Sequence, residues 1–150
     1  MSQSQHSSDI QPETRATPHV GGCHCGAVRF EVDLDLTAPV GRCNCTICQK
    51  RGATGAIVKP DAFRLLAGGD AVGNYSWGGK TGVYSFCKQC GIHVFGGGNL
   101  PELGGAFASV NVNCLDDVDP STLPIGHWDG RHDNWQAGIA SKPWPVFTAS

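Results

Sequence analysis

The sequence lacks several features that would direct a protein to a membrane or a nucleic acid. No stretch of its 150 residues approaches the roughly 18 to 20 consecutive apolar residues that a membrane-crossing helix needs. Its first twenty residues have neither the basic start nor the apolar centre of a secretory signal, so the mature chain is expected to be the whole chain and cytoplasmic. Basic excess is also missing. Eleven Lys and Arg stand against 13 Asp and Glu, the net charge is -2 and the pI is near 6.3, a poor match to a phosphate backbone. No long amphipathic helical pattern and no repeat of whole units is visible. With 40% hydrophobic and 16% charged residues, the chain reads as one globular domain.

Glycine, proline and cysteine are abundant instead, at 21, 9 and 8 residues. Met1 to about Val20 is polar, rich in Ser and Gln, and carries Pro12 and Pro18. Residues 1–20 are therefore expected to be a flexible arm ahead of a domain over 21–150. Val28, Phe30, Val32 and Leu34 alternate with Arg29, Glu31 and Asp33, which predicts a half-buried strand. Further extended segments are expected at 55–59, 63–66, 73–77, 82–86, 92–95 and 107–112, separated by Gly, Pro and Asp. Only 46–51 suggests a helical turn, stopped by Gly52. The fold class is thus mainly β. From Asp116 onward, DDVDPSTLP and SKPWPVF hold four of the nine prolines and predict an irregular tail wrapped on the domain.

Seven of the eight cysteines fall into three tight groups: Cys23 and Cys25 in CHCG, Cys43, Cys45 and Cys48 in CNCTIC, and Cys87 and Cys90 in CKQCG. Short turns can aim such thiolates at one zinc ion at about 2.3 Å, whereas disulfide geometry suits the CxC spacing poorly. CHCG and CKQCG each end in a glycine, Gly26 and Gly91, where the chain can turn left-handed and point amides at the sulfurs. Together they offer four thiolates, the closed set of a structural zinc. Buried free thiols and a redox CxxC at Cys87 and Cys90 are the alternatives. CNCTIC offers three sulfurs, the pattern of a reactive zinc with one open position. The alternative is a second closed site completed by Cys114, His93, His127 or His132. His24, between two ligands, should point outward.

The ordered motifs GGCHCGAVRFEV, RCNCTICQKRGA, YSFCKQCGIHVF, SVNVNCLDDV and DGRHDNW, over Gly22 to about Trp135, resemble the glutathione-dependent formaldehyde-activating enzyme family, which includes the centromere protein V type domains. The resemblance implies a β-tent of antiparallel sheets. It also implies a structural zinc on Cys23, Cys25, Cys87 and Cys90 and a catalytic zinc on Cys43, Cys45 and Cys48. The activity implied is that of a carbon-sulfur lyase or synthase, adding glutathione or a related thiol to formaldehyde or another small aldehyde. The alternative is a non-catalytic zinc module for a protein partner. After CKQCGIHVF the chain departs from the family pattern, running into GGGNLPELGGAF where related sequences carry a more polar, histidine-containing stretch.

If glutathione is the thiol, Arg42, Lys50 and Arg51 are candidates for its carboxylates or else solvated surface charges. HWDGRHDNW reads either as a wall of the site, with His132 passing a proton to the nascent alkoxide, or as Trp128 and Trp135 capping the core. Cys114 reads most simply as a small residue at a strand end, with contact to the second zinc as the sharper possibility.

Overall fold

A computed structural model describes residues 15–78 and 82–147. Ten strands and one α-helix are found among them: β1 Thr17–Gly22, β2 Arg29–Leu34, β3 Val40–Cys43, α1 Thr46–Arg51, β4 Gly55–Val58, β5 Phe63–Ala67, β6 Val72–Tyr75, β7 Gly82–Cys87, β8 His93–Leu100, β9 Gly105–Asn111 and β10 Ile125–Trp128. They form a three-stranded sheet, β1-β2-β5, and a seven-stranded sheet, β10-β3-β4-β9-β8-β7-β6. The fold is mainly β, as the sequence predicts.

The strand with the clearest alternation supplies the centre of the core. Val28, Phe30, Val32 and Leu34 are fully buried, while Glu31 and Asp33 face outward and both pair with Arg64 on β5, at 2.9 and 2.8 Å. Period-2 patterning thus sorts one strand into a core face and an ion-paired face. From the large sheet, Val58, Val94, Val110 and Val112 bury against this set. Phe30, Phe63 and Phe95, on β2, β5 and β8, run as an aromatic ladder between the sheets, with centroids 5.7 and 4.8 Å apart.

The structure departs from the sequence expectations in several places. β1 begins at Thr17, so Thr17–Val20 belong to a sheet rather than to the arm expected over 1–20; residues 1–14 lie outside the described residues. Pairing of Thr17 through Gly22 with β2 supplies the hydrogen bonds that the polar composition hides. The expected segment at 92–95 continues to Leu100, because the glycine run lies flat between β7 and β9. The tail after Asp116 holds short 3-10 turns at Pro120–Thr122, Gly130–His132 and Trp135–Ala137 and one strand, β10, which pairs with β3 in parallel. That pair makes the large sheet mixed, while its other pairings and those of the small sheet are antiparallel. A parallel neighbour needs a long connection, and the chain between β3 and β10 passes through most of the domain. Four-residue strands such as VGRC and IGHW are too short to show a period of their own.

Replacing Phe30 by Ala should destabilise the domain by about 3–5 kcal/mol, since both its burial and its place in the ladder are lost. Chemical denaturation of the two proteins measures the difference.

Candidate metal centres

All eight cysteines are free thiols, and seven gather in two groups. The first is built by two hairpin turns. CHCG follows β1 and leads into β2, and CKQCG joins β7 to β8, so the turns come from different sheets. Their sulfurs, on Cys23, Cys25, Cys87 and Cys90, all lie within 4.8 Å of one another. Cys23 stands 3.6 Å from Cys25, and Cys25 stands 3.7 Å from Cys87. Four sulfurs bonded to one tetrahedral ion at about 2.3 Å are about 3.8 Å apart, so this group could hold a metal.

The backbone supports the same reading. Gly26 and Gly91 adopt φ of +86° and +79°, the left-handed turn that their places after the cysteines predict. The amides of Val28 and Gln89 donate to Cys23 Sγ and Cys87 Sγ at 3.3 and 3.4 Å. Amides of Cys25 and Ile92 aimed at the Cys90 sulfur draw that thiol down to about 6. Cys23 and Cys87 are buried, whereas Cys25 is exposed, as is His24 beside it.

The second group is Cys43, Cys45 and Cys48, at the end of β3 and in the first turn of α1. No fourth cysteine, histidine or carboxylate among the described residues joins it. The helix ends at Gly52, in the left-handed region at φ 66°, and its amide bonds the Cys48 carbonyl at 3.0 Å. Hydrogen bonds from Cys43 and Cys48 drive the Cys45 thiol down to about 2, with the nearby charge of Arg51 acting in the same direction. Cys43, as a partner in those bonds, is held well above the usual thiol range.

The parallel pair decides what faces this loop. Trp128 is the register partner of Cys43, so β3 and β10 end together and DGRHDNW emerges beside CNCTIC. Asn44 ties the two. Its side-chain amide donates to Asp129 Oδ1 at 2.8 Å and its side-chain oxygen accepts from the Arg131 amide at 2.9 Å. Its backbone carbonyl accepts from Arg131 Nε at 2.9 Å, and Arg131 also bonds Gln49 at 2.7 Å. Asp129 is buried, and Asn44 foremost, with His132 and Asn134, keeps its carboxyl below the usual range. A carboxylate only accepts, so His132 Nδ1, 2.7 Å away, carries the proton of that contact. Gly130 packs directly on the metal loop: a methyl group there would stand 2.5 Å from Cys43 Sγ and 2.7 Å from the Trp135 ring.

Arg51 closes the other side of the trio. Its guanidinium donates to Cys48 Sγ at 3.2 Å and to His93 Nε2 at 2.5 Å, and its central carbon lies 4.6 Å from the Tyr84 ring centre. Arg51 Nε is buried with no partner among the described residues. Burial, helped by the Arg51 charge, lowers the His93 imidazole to about 4, so it stays neutral and accepts through Nε2.

The other expected participants sort differently. Arg42 bonds Thr54 Oγ1 at 3.0 Å, and Lys50 is exposed. Cys114 does not join the trio. Its thiol lies 3.5 Å from the His93 carbonyl, and burial, with the charges of Cys23 and Cys90, raises it to about 11. Trp135 is half exposed, lies tilted against Trp128 at 5.9 Å, and meets Gly130 on the side where Cys43 Sγ also lies, so it is not a core residue. His127 meets Ala140 through backbone bonds of 2.8 and 2.9 Å. Sequence reasoning passed over Asn44, Asp129 and Tyr84. A polar residue between two cysteines of one loop was the signal available for Asn44.

Replacing Asn44 by Ala should release the DGRHDNW segment and cost about 1–3 kcal/mol, because buried Asp129 loses one of its donors and the Arg131 amide loses its acceptor. Thermal unfolding and tryptophan fluorescence read the two effects. For His93, a folded value below the unfolded one means that stability is lost as pH falls from the unfolded value toward the folded one. By NMR its ring should remain neutral as pH is lowered from about 7 to about 5.

Comparison with known proteins agrees with this arrangement. The family model described as glutathione-dependent formaldehyde-activating enzyme matches residues 18–128, from β1 to the last residue of β10. A protein of Halomonas elongata, provisionally named a glutathione-dependent formaldehyde-activating enzyme, is 36% identical over 99 residues. That match spans 59% of this chain and 62% of the relative. The crystal structure of a Rhodobacter sphaeroides protein is similar at a TM-score of 0.61 and 34% identity, covering 68% of this chain and 92% of that one. With all seven clustered cysteines inside the matched segment, the chain belongs to the glutathione-dependent formaldehyde-activating enzyme family.

Proposed function

We propose that this protein is a cytoplasmic carbon-sulfur lyase of the S-(hydroxymethyl)glutathione synthase type, with one structural and one catalytic zinc. Its substrates are glutathione, or a related thiol, and formaldehyde or another small aldehyde. The observation that carries the reading is the unequal pair of sulfur groups: four thiols across two hairpins, and three thiols on one loop with no fourth ligand beside them among the described residues. Four thiolates close a tetrahedral zinc, whereas three leave a position open.

Zinc held by three thiolates supplies a soft, electron-rich centre that favours a thiol in its deprotonated form over hydrolytic chemistry. In the reaction the thiol sulfur forms a bond to the aldehyde carbon, the carbonyl π pair moves to oxygen, and the proton lost by sulfur ends on that oxygen. Nothing is oxidised or reduced, and the product is an S-hydroxyalkyl thiol. The remaining work is positioning. Asn44 and Asp129 hold DGRHDNW against the loop, and Gly130 lets it approach Cys43. With Nδ1 committed to Asp129, His132 has Nε2 left to exchange a proton.

The test is zinc counting joined to activity. The purified protein should contain two zincs per chain and convert formaldehyde with glutathione. Mild chelation should remove about one zinc, abolish activity and leave the circular dichroism spectrum intact. Cys45→Ala should fold with one zinc and stay inactive after zinc is restored, while the chelated wild type recovers. Loss of both zincs together with unfolding would count against a reactive centre and in favour of a purely structural or partner-binding role.

A further inference from the structure

Three basic residues flank the three-cysteine loop in sequence, and only one of them bonds a sulfur of the trio. Arg42 spends its Nε on Thr54, and Lys50 points to solvent. Arg51 lies one helical turn from Cys48, which puts both side chains on one face of α1. Three different contacts then hold its guanidinium in place: the Cys48 sulfur, the neutral His93 ring and the face of Tyr84. Tyr84 and His93 come from β7 and β8, and their rings lie 6.4 Å apart. A cation fixed by aromatic and imidazole partners, with its Nε buried away from water, is screened little by solvent.

Charge balance states what such a cation does. A divalent metal with three thiolates carries a formal charge of -1, and an approaching thiolate would raise it to -2. From these contacts we infer that Arg51 is the positioning residue that lets the three-cysteine centre accept a further thiolate, by offsetting sulfur charge at Cys48, and that it does not serve as a carboxylate clamp for the thiol's distant end. His93 and Tyr84 are the residues that keep it there. This inference rests on the thiol-binding reading above and adds a specificity consequence: any small thiolate should gain equally from Arg51, whether or not it carries carboxylates.

The experiment uses protein loaded with cobalt(II) at both centres, titrated with glutathione and separately with 2-mercaptoethanol, a thiol with no carboxylate. Growth of the sulfur-to-cobalt absorption band reports binding without reference to turnover. Arg51→Met should weaken both thiols by a similar factor, about 10- to 100-fold for loss of a cation at this range. Arg51→Lys should recover a large part of the binding of both, because it keeps the charge. His93→Leu, which leaves the cation but removes its anchor, should fall between them.

A loss confined to glutathione would overturn the inference and make Arg51 a carboxylate clamp after all. Unchanged binding of both thiols in Arg51→Met would overturn it as well. If Arg51→Met cannot hold the second cobalt but Arg51→Lys can, and binds both thiols, the charge assignment stands. If both variants lose that metal, Arg51 is structural and the inference fails. A wild-type protein that gives no band with either thiol would instead remove the proposed reaction, and this inference with it.

Discussion

Four cysteine sulfurs from two hairpin turns lie within 4.8 Å of one another, and the two turns belong to different sheets. Much of the molecule is arranged around that convergence. The β1–β2 turn belongs to the small sheet and the β7–β8 turn to the large one, so the sulfur group brings the two sheets together at one end. Beside it, Gly21 makes an isolated bridge to Leu115 and Arg29 pairs with Asp116, fastening the same edge by backbone and charge. Between the layers the core is small, mostly valines and an aromatic ladder. A domain with this much glycine and so modest a core gains from a cross-link that removes freedom from the unfolded chain.

The second group has a different relation to the fold. Its three sulfurs come from one short loop and one helical turn, so no distant segments depend on them for their union. What surrounds them, however, is drawn from far along the chain. The parallel pairing of β10 with β3 delivers Gly130, Asp129 and Trp135 to one side, and the β7–β8 hairpin delivers Tyr84 and His93 to the other. Asn44 and Arg51 are the local residues that engage these two walls. One does so through an uncharged amide and one through a cation.

Each wall holds one titratable side chain in a defined protonation state. Asp129 stays a carboxylate because Asn44, His132 and Asn134 donate to it. His93 stays neutral because it is half-buried beside a cation. Hydrogen bonds fix the charge of the first, and burial beside a cation fixes the neutrality of the second. Preorganisation of this kind means little must rearrange when a charged sulfur approaches.

The sequence by itself determined the local chemistry. Cysteines two or three residues apart can share a centre whatever the rest of the chain does, and a glycine after each pair supplies the turn that aims their amides. The alternation of β2 and the helix stopped at Gly52 are legible for the same reason, since each depends on neighbours a few positions away. Tertiary structure decided which distant groups meet those centres. β3 and β10 are four residues each and carry no period, so their parallel register could not be read, and with it went the contact of Gly130 with Cys43. Cys114 sits near a strand end as its pattern suggested, yet its thiol meets the His93 carbonyl and does not join the trio. Arg51 looks like surface charge in sequence. It turns inward because β7 and β8 place an aromatic face and a neutral imidazole where its guanidinium can reach both, a juxtaposition that only the folded sheets create.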